Sequence, residues 1–260
     1  MTNQMKMALV ADRSDKAQAA KAQLEARYDF IDIKGKRNKP DALVVLGGDG
    51  FMLQTLHQHM HRNIPIYGMN CGTVGFLLNS FSPDELPERI LQARHSSLRP
   101  LSMYARTMDG KEKHQLAINE VSLFRESRQA AKIRITVDHV VRLEELIADG
   151  ILIATPAGST AYNFSVGGPI IPLMGNLLAM TPIGAFRPRR WKGAQLHHSA
   201  SITFEILEPE KRPVSAVADF NEIRDVVSIS IDEDPNIHIA LLFDPEHNLE
   251  ERIFKEQFIP

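Results

Sequence analysis

The rhythm of the chain changes at about residue 96, and that change limits the folds open to it. Before it, short apolar runs alternate with stretches rich in helix formers. "MKMALVAD" (5–12) reads as a buried first strand, and "SDKAQAAKAQLEARY" (14–28) as a helix with Ser14 or Asp15 at its N-cap. "DALVVLG" (41–47) is nearly continuous in apolar residues, as a central parallel strand requires. "FMLQTLHQHMH" (51–61) has helical spacing, "NIPIYGMN" (63–70) is strand-like, and "SPDELPERILQAR" (82–94) opens like a helix with Ser-Pro and an acidic first turn. Strand and helix in alternation predict an α/β layer.

After the change the chain is strand-rich. "LSMYARTM", "HQLAINEVSLFR", "KIRITVDHVVRLEEL", "DGILIATP", "ASITFEILE", "RPVSAVAD" and "DVVSISI" follow one another with turns between them and few long helical patterns. The end, "IHIALLFDPEHNLEERIFKEQF", returns to strand plus helix. The expected fold is therefore an α/β domain over residues 1–98 with a Rossmann-like layered parallel sheet. A β-rich, β-sandwich-like domain over 99–240 follows it, and a segment over 241–260 packs back on the first domain.

The formal net charge of −2 gives no global basic field, so no nucleic-acid partner is expected and any anionic ligand must be met by local groups. The single cysteine, Cys71, excludes an internal disulfide and a Cys-rich zinc site. The start lacks the pattern of a secretory signal, and no apolar run is long enough to span a bilayer. A cytoplasmic protein without a membrane partner is expected.

"VVLGGDGFML" (44–53) places Asp49 inside a glycine cluster where a buried strand turns into a helix. Gly47 and Gly48 let the backbone turn with no side chains in the way. The helix beginning near Gly50 directs its N–H groups and positive dipole end at the turn, which suits phosphate. A fixed carboxylate there is odd for phosphate binding alone. It makes sense as a base for an attacking hydroxyl or a handle on magnesium, and equally as a helix N-cap.

Further pieces accompany it: "GMNCGTVGFL" (68–77), "NEVSL" (119–123) and "DGILIATPAGSTAYNFSVGGPIIP" (149–172). Together with "GGDG" they resemble the NAD kinase family, over most of the chain. "GGDG" is shared with diacylglycerol and other lipid kinases and with phosphofructokinases; Asn119-Glu120 and "TPAGSTAYN" are more specific. The resemblance implies transfer of the γ-phosphoryl of ATP to the adenosine ribose 2′-hydroxyl of NAD+, with a divalent metal, Mg2+, carried by ATP. It implies Asp49 as catalytic base, and Gly47, Gly48 and Gly50 as room for phosphates, Gly50 also lying against NAD. Phe76 and Leu77 would line the adenine end. Asn119 and Glu120 would hold a ribose, and Asp149 and Ala161 would lie near the nicotinamide carboxamide. Thr160, Tyr162 and Ser165 would complete the adenosine pocket. NAD would bind in a cleft between the domains, and a homodimer or homotetramer would complete the site.

The chemistry is reasonable residue by residue. A ribose diol suits a carboxylate and an amide, and a tyrosine face suits a purine. "ATPAGSTAYN" also has a plain reading, a tight loop whose hydroxyls cap a helix starting near Thr160. Three positions depart from the family pattern: Ala157 stands where Thr or Ser is common, Phe51-Met52 follow "GGDG", and Phe220 follows Asp219 where Gly is usual. His57, His59 and His61 suit a solvated helix end better than a metal site, "RPRRWK" (187–192) suits a basic loop or subunit contact as well as phosphate, and Cys71 a small buried thiol. A lipid or sphingoid-base kinase and a catalytically silent nucleotide sensor are the rival readings.

Overall fold

The computed structural model describes residues 5–33, 39–72 and 75–245. The chain forms two compact units, Met1–Leu98 with Ile237–Pro260, and Arg99–Asn236.

The first unit runs β1 (Met7–Ala11), α1 (Asp15–Glu25), β2 (Ala42–Gly47), α2 (Asp49–His59), β3 (Ile66–Asn70), β4 (Asn79–Ser80), α3 (Leu86–Gln92) and β5 (Arg94–Leu98). β1, β2 and β3 are parallel, with Gly47 beside Asn70 at the carboxyl ends. Every residue of β2 is buried, because helices cover a parallel sheet on its faces and leave no polar side to the strand. Two readings shift. Glu85, at a left-handed φ of 52°, is the N-cap of α3, which starts at Leu86 with Pro87 in its first turn. The Ser82-Pro83 segment is a turn instead, in which the Asp84 N–H donates to Ser82 Oγ and the Tyr28 hydroxyl to Pro83 O. α2 ends at His59, so His61 lies past the helix and shares no helical face with His57.

The second unit comprises β6 (Leu101–Thr107), β7 (Glu112–Ala117), β8 (Glu120–Arg125), β9 (Ala131–Val137), β10 (Val140–Ala148) and β11 (Gly150–Ala154). A 3-10 turn (Ala157–Thr160) and α4 (Tyr162–Ser165) follow, then β12 (Leu177–Ile183), β13 (Ala194–His197), β14 (Ile202–Ile206), β15 (Val214–Ala218), β16 (Asn221–Ile223) and β17 (Val226–Glu233). They form two antiparallel six-stranded sheets, ordered β10-β9-β14-β17-β6-β7 and β13-β12-β11-β8-β15-β16. One core is shared by both, with Ile135, Phe204 and Ile231 from the first sheet and Leu123, Ile153 and Met180 from the second. β9 alternates strictly between buried and half-buried residues, as a strand with one face on a core must. β11 does not alternate. Its Leu152 and Ala154 pack with Ile171, Ala179 and Ile183 in a second apolar cluster, so the loop after β11 covers its outer face. That explains the unbroken apolar run "GILIA".

β18 (Ile239–Phe243) joins the first sheet, parallel to β3 and antiparallel to β5. A polar clamp fastens it. The Asn79 amide donates to Gly68 O and Leu242 O and accepts from Asp244 N, while Asp244 takes the Tyr67 hydroxyl at 2.5 Å and the Arg89 guanidinium. The helix expected after residue 245 lies outside the described residues. Among the described residues no helix is long and apolar enough to cross a membrane.

Candidate active site

In the first unit the site residues gather where β2 meets α2. Gly48 is the N-cap of α2 (φ −101°, ψ −179°), so Asp49 opens the helix rather than capping it. A carboxylate in the first turn is favoured by the helix dipole. It is also held from outside the helix: Asp49 Oδ2 accepts the Phe76 N–H at 3.0 Å and Oδ1 the Leu77 N–H at 3.3 Å. The "VGFL" loop thus serves Asp49 through its main chain. Leu77 is itself buried, at 7% exposure. One amide on each oxygen orients the carboxylate.

The three glycines differ. A Cβ on Gly47 would stand 2.8 Å from the Phe51 ring, so packing of α2 on the strand requires that glycine, and Phe51 is the residue that fills the space. Among the described residues, Cβ atoms on Gly48 or Gly50 would meet nothing within 4 Å. Neither has a positive φ. Conformation and packing thus leave both positions open to alanine, and the glycines keep the helix start bare. Next to this turn, Cys71 N donates to Gly47 O and Gly72 N to the Asn70 side chain. Burial pushes the Cys71 thiol up, with Asp12 adding to the effect.

In the second unit "NE" and "GST" are packed together. A Cβ on Gly158 would lie 2.1 Å from Asn119 O, and Thr155 N donates to that same oxygen at 2.9 Å. Asn119 precedes β8 and Glu120 begins it. The backbone amides of Ile118, Asn119 and Glu120 all donate to the Asp219 carboxylate, at 2.7, 2.9 and 3.1 Å. Glu120 Oε2 is buried and, among the described residues, has no hydrogen-bond partner. Burial, reinforced by the Asp219 charge, pushes the Glu120 carboxyl up to about 8.

The loop carrying "TPAGSTAYN" is fastened by its own polar groups. Ser159 Oγ accepts Ile171 N and lies within hydrogen-bond reach of Pro156 O and Ile171 O. Asn163 donates to Ser159 O and Pro169 O and accepts from the Thr181 hydroxyl. Thr155 Oγ1 donates to Ile118 O and accepts Gly158 N. The Ser159 hydroxyl therefore points back into the loop, and that of Thr155 ties the loop to Ile118. They do not cap the helix expected near Thr160, which is a 3-10 turn ending there and a four-residue α4. Ala157 is buried in that turn. Thr160 and Ala161 are half-buried and Ser165 is exposed, as is Tyr162 at 38%. The Tyr162 phenol is raised by partial burial, then by the charges of Glu120 and Asp149.

Asp149 stands apart from the Asn119-Glu120 pair. Glu120 faces Ala154 across the ladder and Phe124 faces Gly150, so Asp149 lies past the other end of β11. Four residue steps separate these ends, about 13 Å at roughly 3.3 Å each. Its carboxylate accepts Arg125 Nε at 2.5 Å and lies over Gly184. Sequence reasoning missed what Asp219, Thr155, Ser159 and Asn163 do. The local signals were a polar residue before a turn and a dense run of hydroxyls and small residues.

These features can be set beside known proteins. Residues 1–95 match the model of the ATP-NAD kinase N-terminal domain, and residues 106–189 that of the ATP-NAD kinase C-terminal domain. An NAD kinase of Brucella suis is 54% identical over 92% of this chain and 93% of its own length. One from Caulobacter vibrioides is 54% identical over 95% and 94%, and one from Xylella fastidiosa 51% over 99% and 98%. Among solved structures, a yeast NADH kinase complexed with NADH has a TM-score of 0.78 at 22% identity, over 97% of this chain and 86% of that one. An Archaeoglobus fulgidus NAD kinase in complex with ATP has a TM-score of 0.75 at 23% identity, over 97% and 98%. Those two likenesses concern the fold. With both family models matched and half the residues shared with full-length relatives, the chain belongs to the ATP-NAD kinase family.

Proposed function

We propose that Asp49 is the base of the reaction this family catalyses, transfer of the γ-phosphoryl of ATP to the adenosine ribose 2′-hydroxyl of NAD+ to give NADP+. The observation that carries the assignment is a carboxylate held in place by the Phe76 and Leu77 amides, beside a helix start kept bare by Gly48 and Gly50. Phosphates occupy the room beside Gly48 and Gly50, where the N–H groups and the positive dipole end at the start of α2 stabilise their charge, while Gly47 serves the packing of Phe51. Asp49 takes the hydroxyl proton as the oxygen attacks. Since the transition state is loose, orientation contributes more than base strength.

On the NAD side, Asn119 and Glu120 hold a ribose, Thr160, Tyr162 and Ser165 line the adenosine, and Ala161 lies with Asp149 near the nicotinamide carboxamide. Asp149 accepts from the carboxamide. Its place at the far end of β11 from Glu120 suits a homodimer or homotetramer in which neighbouring copies share residues. Among the described residues no three His, Cys, Asp or Glu side chains are grouped to hold a metal. Mg2+ is assigned to the ATP substrate, whose phosphates bind it and whose charge it reduces.

Asp49→Asn keeps the shape and removes the charge. Its kcat should fall by about 10²–10⁴, the usual contribution of a positioned base, with little change in NAD+ affinity. A variant with near-normal kcat would reduce Asp49 to a helix-start residue.

A further inference from the structure

We propose that Asp219 is a positioning residue for NAD+: its carboxylate gathers the backbone of Ile118, Asn119 and Glu120 and so turns the Asn119-Glu120 pair toward one ribose. The inference rests on the assignment of that pair to the ribose and adds the residue that makes it geometrically possible. Successive residues of a strand point to opposite faces, so an ordinary strand could not offer both side chains to one ligand. Neither can an ordinary strand send three consecutive N–H groups to one acceptor, because they alternate in direction. Here all three converge. Ile118 N donates to Asp219 Oδ2 at 2.7 Å, and Asn119 N and Glu120 N donate to Oδ1 at 2.9 and 3.1 Å. The curled backbone makes a concavity of amides, and the carboxylate is the anion that fills it.

Asp219 is built into this place from about a hundred residues away. It occupies the two-residue turn with Phe220 between β15 and β16, where Ala218 pairs with Asn221. β15 also pairs with β8, Ala218 beside Val121, which brings the turn against the start of β8. Asp219 adopts φ 53°, a conformation that aspartate tolerates better than most residues. Its own N–H donates to Glu120 O at 3.1 Å and closes the ring of contacts.

A second consequence follows from charge. The charge that acts on Glu120 besides its burial is that of Asp219 on the β15–β16 turn, while the Glu120 charge in turn raises the Tyr162 phenol on α4. Glu120 forms no ion pair among the described residues, and its Oε2 has no hydrogen-bond partner. A carboxyl desolvated beside a fixed negative charge resists ionising. A ribose diol offers that oxygen the hydroxyl donors it lacks. The NAD+ KM should therefore improve as pH rises through the ionisation of Glu120, and Asp219 sets where that happens.

The test uses Asp219→Gly and Asp219→Asn in the full-length enzyme. Glycine accepts φ 53° without strain and supplies no acceptor, so it separates turn geometry from the gathering of amides. Asparagine keeps the size and loses the charge. The expected result is a roughly 10- to 100-fold rise in NAD+ KM for Asp219→Gly, the effect of about one charged hydrogen bond, with ATP KM within about twofold. The rise should be smaller for Asp219→Asn. In both, the pH profile of NAD+ KM should move to lower pH, because Glu120 ionises more readily once the neighbouring charge is gone. Unchanged NAD+ KM and pH profile in Asp219→Gly would overturn the proposal. So would equal losses for both substrates together with a lower melting temperature, the mark of a merely structural turn. A wild-type enzyme that makes NADP+ but shows no pH dependence of NAD+ KM overturns the charge argument, whereas one that makes no NADP+ overturns the reading beneath it.

Discussion

Replacing Glu120 by glutamine should make the ligand-free protein more stable in alkali while making it a worse enzyme. The buried carboxyl ionises at about 8 instead of the ordinary 4.5, because burial and then the Asp219 charge oppose the ionised form. The folded chain therefore keeps a proton that the unfolded chain has already lost. Between these two pH values the folded state binds more protons, so stability falls as pH rises from 4.5 and levels off above 8. At about 1.36 kcal/mol for each tenfold change, the interval sets a ceiling near 5 kcal/mol. Structural relaxation and water entry reduce such penalties, so a recoverable part of about 2 kcal/mol is the working figure. Glutamine has the same shape and no charge to bury. Glu120→Gln should match the wild type at pH 5 and exceed its melting temperature by about 4–8 °C at pH 9. Its kcat/KM for NAD+ should meanwhile fall about 10- to 100-fold, the loss of a charged hydrogen bond to ribose. Thermal melts of both proteins from pH 5 to 9, without nucleotide, are the assay. A variant less stable than wild type at every pH would mean that Glu120 is paired and ionised in the folded chain, and the reasoning would fail.

Alanine at two glycines should have opposite signatures. Gly158→Ala puts a methyl group against Asn119 O and should cost about 1–3 kcal/mol with a loss of NAD+ affinity, read by melting and kinetics. Gly48→Ala meets open space and should change stability by less than about 1 kcal/mol while raising the KM for ATP. Light scattering at micromolar concentration should give a mass above the 29.2 kDa of one chain, and a single species at that mass would remove the oligomer.

What could be read from the chain beforehand was whatever is local. β2 and β11 announced themselves as unbroken apolar runs, because both faces of each are covered by the units they belong to. β12, by contrast, was not expected: Gly175, Pro182 and Gly184 punctuate "GNLLAMTPIG" like a loop, yet Leu177–Ile183 pairs with β11 along its length. α3 was placed too early because Ser-Pro and acidic residues imitate a helix start, while the left-handed Glu85 delays it. Long-range roles had no local signal. Asp49 is anchored by amides 27 and 28 residues further on, Gly158 is required by the backbone of Asn119, and Asp219 caps amides about a hundred residues earlier. Glu120 was expected to hold a ribose as an ionised carboxylate, and its burial makes it a group that ionises only near neutral to alkaline pH.

The most direct measurement of the central claim is to incubate the purified chain with ATP, Mg2+ and NAD+ and to quantify NADP+ enzymatically, with diacylglycerol and sphingosine as competing acceptors and Asp49→Asn alongside. The account predicts NADP+ formed in step with ADP, no phosphorylated lipid, and turnover reduced about 10²–10⁴-fold in the variant. Phosphorylated lipid in place of NADP+, or equal NADP+ formation by the variant, would contradict it.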